Sequence, residues 1–113
     1  MMTEEEARIA RTESVFRHVN ERIAETAARF ESGDAEFVCE CADLDCHHRI
    51  EAPLEEYEDV RTEPTQFLVA EGHEVPAYEH VRDRRGGYLV IEKVTRGLVS
   101  AVQRTDPRTE SAA

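Results

Sequence analysis

The chain has 113 residues and a formal net charge of -11, and 35% of its residues are charged. This length fits one domain with a single small hydrophobic core. The negative charge disfavours nucleic acid as a partner, because that binding depends on neutralising phosphates with Lys and Arg. No apolar run is long enough to cross a bilayer, and the acidic start differs from the basic start of a signal peptide. We therefore expect a cytoplasmic protein that binds neither nucleic acid nor membrane.

The clearest local pattern predicts a long N-terminal helix from about Glu4 to Glu31. Thr3 and Glu6 fit a capping box at its start, and Gly33 fits the left-handed position after its end. A helix of this length exceeds the width of a small domain, so either its first two turns fray or part of it forms a homodimer contact. Apolar residues recur on one helix face at steps of three, four and seven. They are Ile9, Phe16, Val19, Ile23, Ala27 and Phe30.

A strand and a short helix are predicted after the long helix. The strand covers Glu36–Cys41 and pairs with Arg49–Glu51 across the intervening turn. Pro53 suits the first position of a helix, and apolar residues spaced by three continue as far as Val60. This second helix must end before Pro64, because the residue before a proline disfavours helical backbone.

The second half of the chain predicts a small, mainly antiparallel sheet. Phe67–Ala70 is a short apolar run, and Val81–Arg85 and Tyr88–Val94 predict a hairpin around Gly86-Gly87, a turn that needs positive φ. The strand that begins at Tyr88 starts with four apolar residues, so we expect it to be central and covered on both faces. Leu98–Val102 predicts an amphipathic turn or two.

All three cysteines lie in the segment Cys39-Glu40-Cys41-Ala42-Asp43-Leu44-Asp45-Cys46. Residues two apart in a strand point to the same side, and a turn can return Cys46 toward Cys39 and Cys41. Such clustering is typical of a zinc site, whose sulfur ligands lie about 3.7 Å apart. The odd count and the strain of a C-x-C bridge disfavour a disulfide. Inert buried thiols and redox-active thiols are the alternatives.

A tetrahedral site needs a fourth ligand, and His73 in Gly72-His73-Glu74 is the first candidate. A ligand from a distant loop cross-links the chain, as structural zinc ligands do. His48 is the rival because it lies beside the cysteines, although it would close only a small loop. His47, an aspartate, and a chain without metal are the remaining alternatives. The predicted metal ligands are Cys39, Cys41, Cys46 and His73.

Three cysteines and one histidine fill the coordination sphere and leave no position for a reactive water. The predicted zinc is therefore structural, and no catalytic residue is assigned. The fold class is α+β, with a long N-terminal helix, a short second helix, a small mainly antiparallel sheet and a zinc-ligating turn. Residues 1–105 form a single domain, and residues 106–113 form a flexible tail. We expect a protein-interaction or regulatory module with an unknown protein partner; the alternative is a redox-sensing or thiol-active protein.

Several motifs together resemble a family of short proteins of uncharacterised role from high-GC bacteria. They are Phe37-Val38-Cys39-Glu40-Cys41-Ala42-Asp43, Cys46, Leu54–Arg61, Pro64, Phe67 and Gly72-His73-Glu74-Val75-Pro76. The resemblance covers nearly the whole chain and implies that the cysteine cluster and Gly72-His73-Glu74 belong to one recurring pattern. It implies no activity. The chain departs from the pattern at Glu71 and at His47-His48, and the second departure keeps His48 as a rival ligand.

Overall fold

The computed structural model of the protein describes residues 2–108. Its elements alternate between helices and short strands, which confirms the predicted α+β fold. In chain order they are α1 (Glu4–Arg29), β1 (Asp34–Val38), β2 (Arg49–Pro53), α2 (Leu54–Val60), β3 (Gln66–Ala70), β4 (Glu79–Arg85), β5 (Tyr88–Lys93) and α3 (Arg96–Arg104). None of these helices combines the length and apolar character that a membrane span requires.

The strands form two antiparallel sheets. β1 and β2 make a two-stranded sheet in which Phe37 pairs with Ile50. β3, β5 and β4 make a three-stranded sheet with β5 in the centre. Tyr88, Leu89, Val90 and Ile91 of β5 are all buried. Consecutive buried residues point to opposite faces, so the prediction of a central strand covered on both faces is confirmed.

The main hydrophobic core unites the two sheets with α2 and the second half of α1. Phe37 of β1 stacks on Tyr57 of α2 with ring centroids 4.4 Å apart. Cys39 and Cys41 belong to the same buried cluster. The first half of the cysteine segment is therefore built into the core.

The buried face of α1 is more polar than the predicted apolar stripe. Ile9 and Ala27 are buried as expected, whereas Val19 and Phe30 are 41% and 72% exposed. Several polar side chains take their places and form hydrogen bonds with other parts of the fold, which makes their burial tolerable. The buried residues of α1 are Glu6, Ile9, Ala10, Thr12, Glu13, Arg17, Asn20, Ala24 and Ala27.

The first turns of α1 do not fray. The predicted capping box is present, with Thr3 and Glu6 each accepting a hydrogen bond from the other's backbone. Ile9 packs against Leu98 and Ala101 of α3 in a second, smaller core. The segment predicted as one or two amphipathic turns is a complete helix, and it covers the start of α1.

The C-terminal end of α1 differs from the prediction. Glu31, with φ 56°, holds the left-handed position that was assigned to Gly33. The Glu31 N–H donates to the Ala28 carbonyl at 3.2 Å, and the Ser32 N–H donates to the Ala27 carbonyl at 2.8 Å. These two bonds define a Schellman motif, which places the helix end two residues earlier than the glycine.

The hairpin turn between β4 and β5 is where the sequence predicts it. Only one of its two glycines, Gly87, has a positive φ, of 89°. The requirement for glycine therefore falls on Gly87 and not on Gly86.

The start of the predicted tail is attached to the domain. Asp106 is buried, and its Oδ1 accepts a hydrogen bond from Arg61 Nη2 at 2.5 Å. Arg108 Nε donates to Glu21 Oε1 at 2.7 Å. The ordered fold thus extends past residue 105, while the rest of the predicted tail, residues 109–113, lies outside the described residues.

Candidate metal centre

Cys39 and Cys41 lie on an extended segment that continues β1 beyond Val38. The Glu40 N–H donates to the Leu68 carbonyl of β3 at 2.9 Å, so this segment runs along the free edge of the three-stranded sheet. Side chains alternate in extended backbone, which sends the two cysteines to one side and Glu40 to the other. The C-x-C spacing therefore presents two sulfurs together.

An Asx turn returns the third cysteine toward the first two. The Asp45 N–H donates to Asp43 Oδ1 at 2.9 Å, and the Cys46 N–H donates to the Asp43 carbonyl at 3.0 Å. Aspartate favours such turns because its short carboxylate reaches the backbone two residues ahead. The polar residues between the cysteines thus have a local structural role.

His73 reaches the cysteines from the loop after β3. Its N–H donates to the Ala70 carbonyl at 3.0 Å, and Gly72 between them has a φ of 85°. Glycine adopts this left-handed backbone without strain, so it allows the chain to turn back sharply. The turn directs the imidazole toward the end of the sheet where the cysteines lie.

The four predicted ligand residues converge on one point. Their ligand atoms all lie within 4.8 Å of one another. Nδ1 of His73 is 3.6 Å from Cys39 Sγ and 3.5 Å from Cys46 Sγ. A tetrahedral zinc ion with ordinary bond lengths separates a sulfur and a nitrogen ligand by about 3.5 Å. Cys39, Cys41, Cys46 and His73 are therefore positioned to bind a metal ion.

The centre has a buried side and a more accessible side. Cys39 and Cys41 are 1% and 3% exposed, whereas Cys46 and His73 are half-buried. On the buried side, the Ala70 N–H donates to Cys39 Sγ at 3.2 Å. The more accessible side of the centre is therefore the one formed by Cys46 and His73.

The three thiols influence one another's protonation. The pKa of the Cys41 thiol is lowered, first because it accepts a hydrogen bond from Cys39. That same bond, followed by burial, raises the pKa of Cys39, and burial is the main cause that raises the pKa of Cys46. The cluster thus favours a single thiolate that its neighbours share. Binding a metal ion requires the other thiols to lose their protons as well.

The rival ligand His48 lies beside the centre and outside the converging set. Its ring meets the His73 ring edge-on, with centroids 4.6 Å apart. Its backbone carbonyl accepts a hydrogen bond from the Cys39 N–H at 3.2 Å. His47 is exposed and also lies outside the set. His48 therefore flanks His73, and His73 is the histidine that lies within the converging set.

The sequence analysis did not identify Asn20 and Glu40, two buried residues that lie behind the cysteines. Glu40 is fully buried, and it accepts hydrogen bonds from Asn20 Nδ2 at 2.9 Å and from the Leu68 N–H at 3.1 Å. Burial raises the pKa of Glu40, while the nearby Arg17 opposes the rise. The C-x-C spacing could have indicated the burial of Glu40. If both cysteines point to one side of an extended segment, the residue between them points to the other side, which here faces α1.

Comparison with known protein families, curated proteins and solved structures finds no match to this chain. The resemblance to short proteins from high-GC bacteria therefore stays a prediction from the sequence.

Proposed function

We propose that the protein binds one structural zinc ion through Cys39, Cys41, Cys46 and His73. The observation that carries the proposal is the convergence of four ligand atoms within 4.8 Å at the edge of the hydrophobic core. Three sulfurs and one imidazole nitrogen form a donor set that zinc prefers, whereas magnesium and calcium prefer oxygen.

A structural role fits this donor set better than a catalytic one. Catalytic zinc keeps a position open for water, and four protein ligands leave none. The ion would also connect two separate parts of the chain, the turn between β1 and β2 and the loop after β3. Zinc binding contributes about 10–16 kcal/mol in small zinc-dependent domains, compared with total stabilities of about 5–15 kcal/mol. The fold of this small domain therefore depends on the ion.

The cellular role that we propose for the zinc-stabilised domain is protein interaction or regulation. The support comes from α1 and the residue after it, because Val15 and Val19 of α1 and Phe30 just past its end are 51%, 41% and 72% exposed. Exposed apolar residues that are grouped along one face mark contact surfaces more often than single exposed apolar residues do. We propose this exposed stripe as the contact through which the protein binds a protein partner or forms a homodimer. The cytoplasm, where thiols stay reduced, suits a zinc centre of this kind.

A thiol-active or redox-sensing function is the second candidate. It is favoured by the partial exposure of Cys46 next to two further thiols. Oxidation by a peroxide would join two of these thiols in a disulfide, with two protons and two electrons passing to the peroxide to give water. Intact mass after peroxide treatment distinguishes the candidates, because a zinc-bound cluster is protected and a thiol-active cluster loses two hydrogens.

Metal analysis of protein purified without chelator tests the zinc proposal. We expect close to one zinc per chain, and less than about 0.2 zinc per chain would contradict the proposal. His73→Ala should lower zinc content and stability strongly, whereas the matched control His48→Ala should change both little. Equal losses in the two variants would contradict the assignment of His73 as the fourth ligand.

A further inference from the structure

We propose that Asn20 and Glu40 are positioning residues that hold Cys39 and Cys41 in the geometry for metal binding. The inference rests on the proposed zinc site and adds residues that do not touch the ion. Both side chains are fully buried, Asn20 on α1 and Glu40 between the two cysteines.

Asn20 binds the backbone on the N-terminal side of the ligand segment. Its Oδ1 accepts a hydrogen bond from the Val38 N–H at 2.8 Å, and its Nδ2 donates to the Val38 carbonyl at 2.9 Å. A primary amide that satisfies both backbone groups of one residue acts as a neighbouring strand would. Asn20 therefore fixes the residue that immediately precedes Cys39.

Glu40 binds the other side of the segment to β3. Its backbone N–H donates to the Leu68 carbonyl at 2.9 Å, and its Oε1 accepts from the Leu68 N–H at 3.1 Å. Its Oε2 accepts from Asn20 Nδ2 at 2.9 Å, which connects the two anchors. Val38 is thus held by α1 and Glu40 by β3, one on each side of Cys39.

These anchors act where regular strand pairing stops. β1 ends at Val38, and a single further backbone bond, from the Cys39 N–H to the His48 carbonyl, continues its pairing with the β2 side. A buried carboxylate is costly and persists only where hydrogen bonds compensate for its desolvation. Here the compensating bonds fix the backbone on both sides of Cys39 in the folded domain. The two sulfurs are therefore preorganised, and outer-shell groups of this kind typically change metal affinity by about 10–100-fold.

A reciprocal exchange of the two side chains tests the inference. Glu40→Gln places an amide group against the Asn20 amide group, and Asn20→Asp places a carboxylate against the Glu40 carboxylate. Each single variant should weaken zinc binding about 10-fold or more, measured by competition with a chromophoric chelator. The double variant restores the contact with reversed polarity, because Gln at 40 can donate to Asp at 20. We expect it to recover most of the affinity, apart from the contribution of the lost bond to the Val38 carbonyl.

Glu6→Gln is the matched control, because it changes another buried carboxylate of α1 whose hydrogen-bond partners, Thr3 and Thr95, lie outside the metal centre. It should alter the stability of the domain but leave the zinc affinity and the visible spectrum of the cobalt-substituted protein unchanged. Glu40→Gln should change the affinity and also shift that spectrum, since the sulfurs are displaced.

The outcomes separate the two proposals. Absence of zinc binding by the natural sequence would overturn the zinc site itself. Normal zinc binding by the natural sequence, with unchanged affinity in both single variants, would overturn only the positioning role. If a single variant fails to fold, a folded, zinc-binding double variant still supports the pairing, and an unfolded double variant contradicts it.

Discussion

The Cys/His centre and the ion-pair cluster beneath the first half of α1 solve the same structural problem by different chemistry. In the cluster, Lys93 of β5 binds Glu13 of α1 at 2.7 Å and also contacts Glu79 of β4. The side chains of all three residues are at most 2% exposed. Each region joins distant parts of the chain through a buried cation, a proposed zinc ion in one and a lysine ammonium in the other.

The two regions should differ in how strongly the fold depends on them. Charged groups lose their hydration when they form a buried ion pair, and this cost offsets most of their attraction. The net contribution of the pair to the free energy of unfolding is therefore small, although removing one partner is costly because the other charge stays buried. Metal–thiolate bonds add free energy that the apo chain lacks altogether. The comparison also predicts opposite responses to pH, because metal ligands must lose protons, whereas a buried carboxylate is easier to accommodate when protonated.

Removal of the metal is the change with the largest expected effect. Treatment with a strong chelator should cost on the order of 10 kcal/mol and unfold much of the chain at neutral pH. Acidification should release zinc and lower stability together, because protons compete for the thiolates and the imidazole. Circular dichroism recorded alongside released zinc checks both statements. A spectrum that stays unchanged after complete metal removal would show that the core is sufficient without the ion.

Loss of the lysine is the corresponding test of the ion-pair cluster. Lys93→Met should destabilise the protein by about 3–5 kcal/mol, because Glu13 and Glu79 would remain buried without their cation. The matched control adds Glu13→Gln and Glu79→Gln to Lys93→Met, which removes all three charges. We expect chemical denaturation to show that this neutral triple variant recovers much of the loss. A triple variant no more stable than Lys93→Met alone would contradict this explanation, because removing the two unpaired carboxylates would then have relieved nothing.

The pH dependence of Glu13 sharpens the contrast. Burial raises the pKa of Glu13 from 4.5 to about 7, although Lys93 opposes the shift. Between these values the folded protein binds more protons than the unfolded chain, so this group makes stability fall as pH rises from about 4.5 to about 7. Glu13→Gln should therefore gain ~3 kcal/mol relative to the natural sequence over that interval. The difference between the unfolding free energies of the two proteins at each pH removes the contribution of the metal, which is common to both. A difference that does not change with pH would contradict the raised pKa of Glu13.

The sequence predicted the metal centre more completely than the charged layer for a physical reason. Three candidate ligands lie within eight residues, and a metal site restricts which residue types can join them, so Cys39, Cys41 and Cys46 are visible together. Glu13 and Lys93 are 80 residues apart, and each alone resembles a solvent-exposed charge. Periodicity assigns the apolar residues of α1 to the core and cannot recognise a polar side chain whose partner belongs to a distant strand.

The same limit explains the two ends of α1. The capping box depends on residues three apart, so Thr3 and Glu6 could be identified directly. The helix end depends on which backbone carbonyls receive hydrogen bonds, and Glu31 adopts the left-handed conformation although Gly33 is the better residue for it. The hairpin glycines were likewise located correctly, but only the structure distinguishes Gly87 from Gly86.

A substitution that touches neither region provides the baseline for the comparison and the smallest expected effect. Glu31 has a φ of 56°, a backbone conformation that costs a non-glycine residue about 1 kcal/mol. Glu31→Gly should therefore stabilise the protein by about 0.5–1 kcal/mol, and Glu31→Ala, which also removes the carboxylate but keeps Cβ, is the matched control. Because Glu31 contacts neither the metal ligands nor Lys93, the gain should be the same before and after Lys93→Met. Thermal unfolding of the four combinations tests this additivity. A gain that changes with Lys93 would show that the end of α1 is coupled to the ion-pair cluster through the helix.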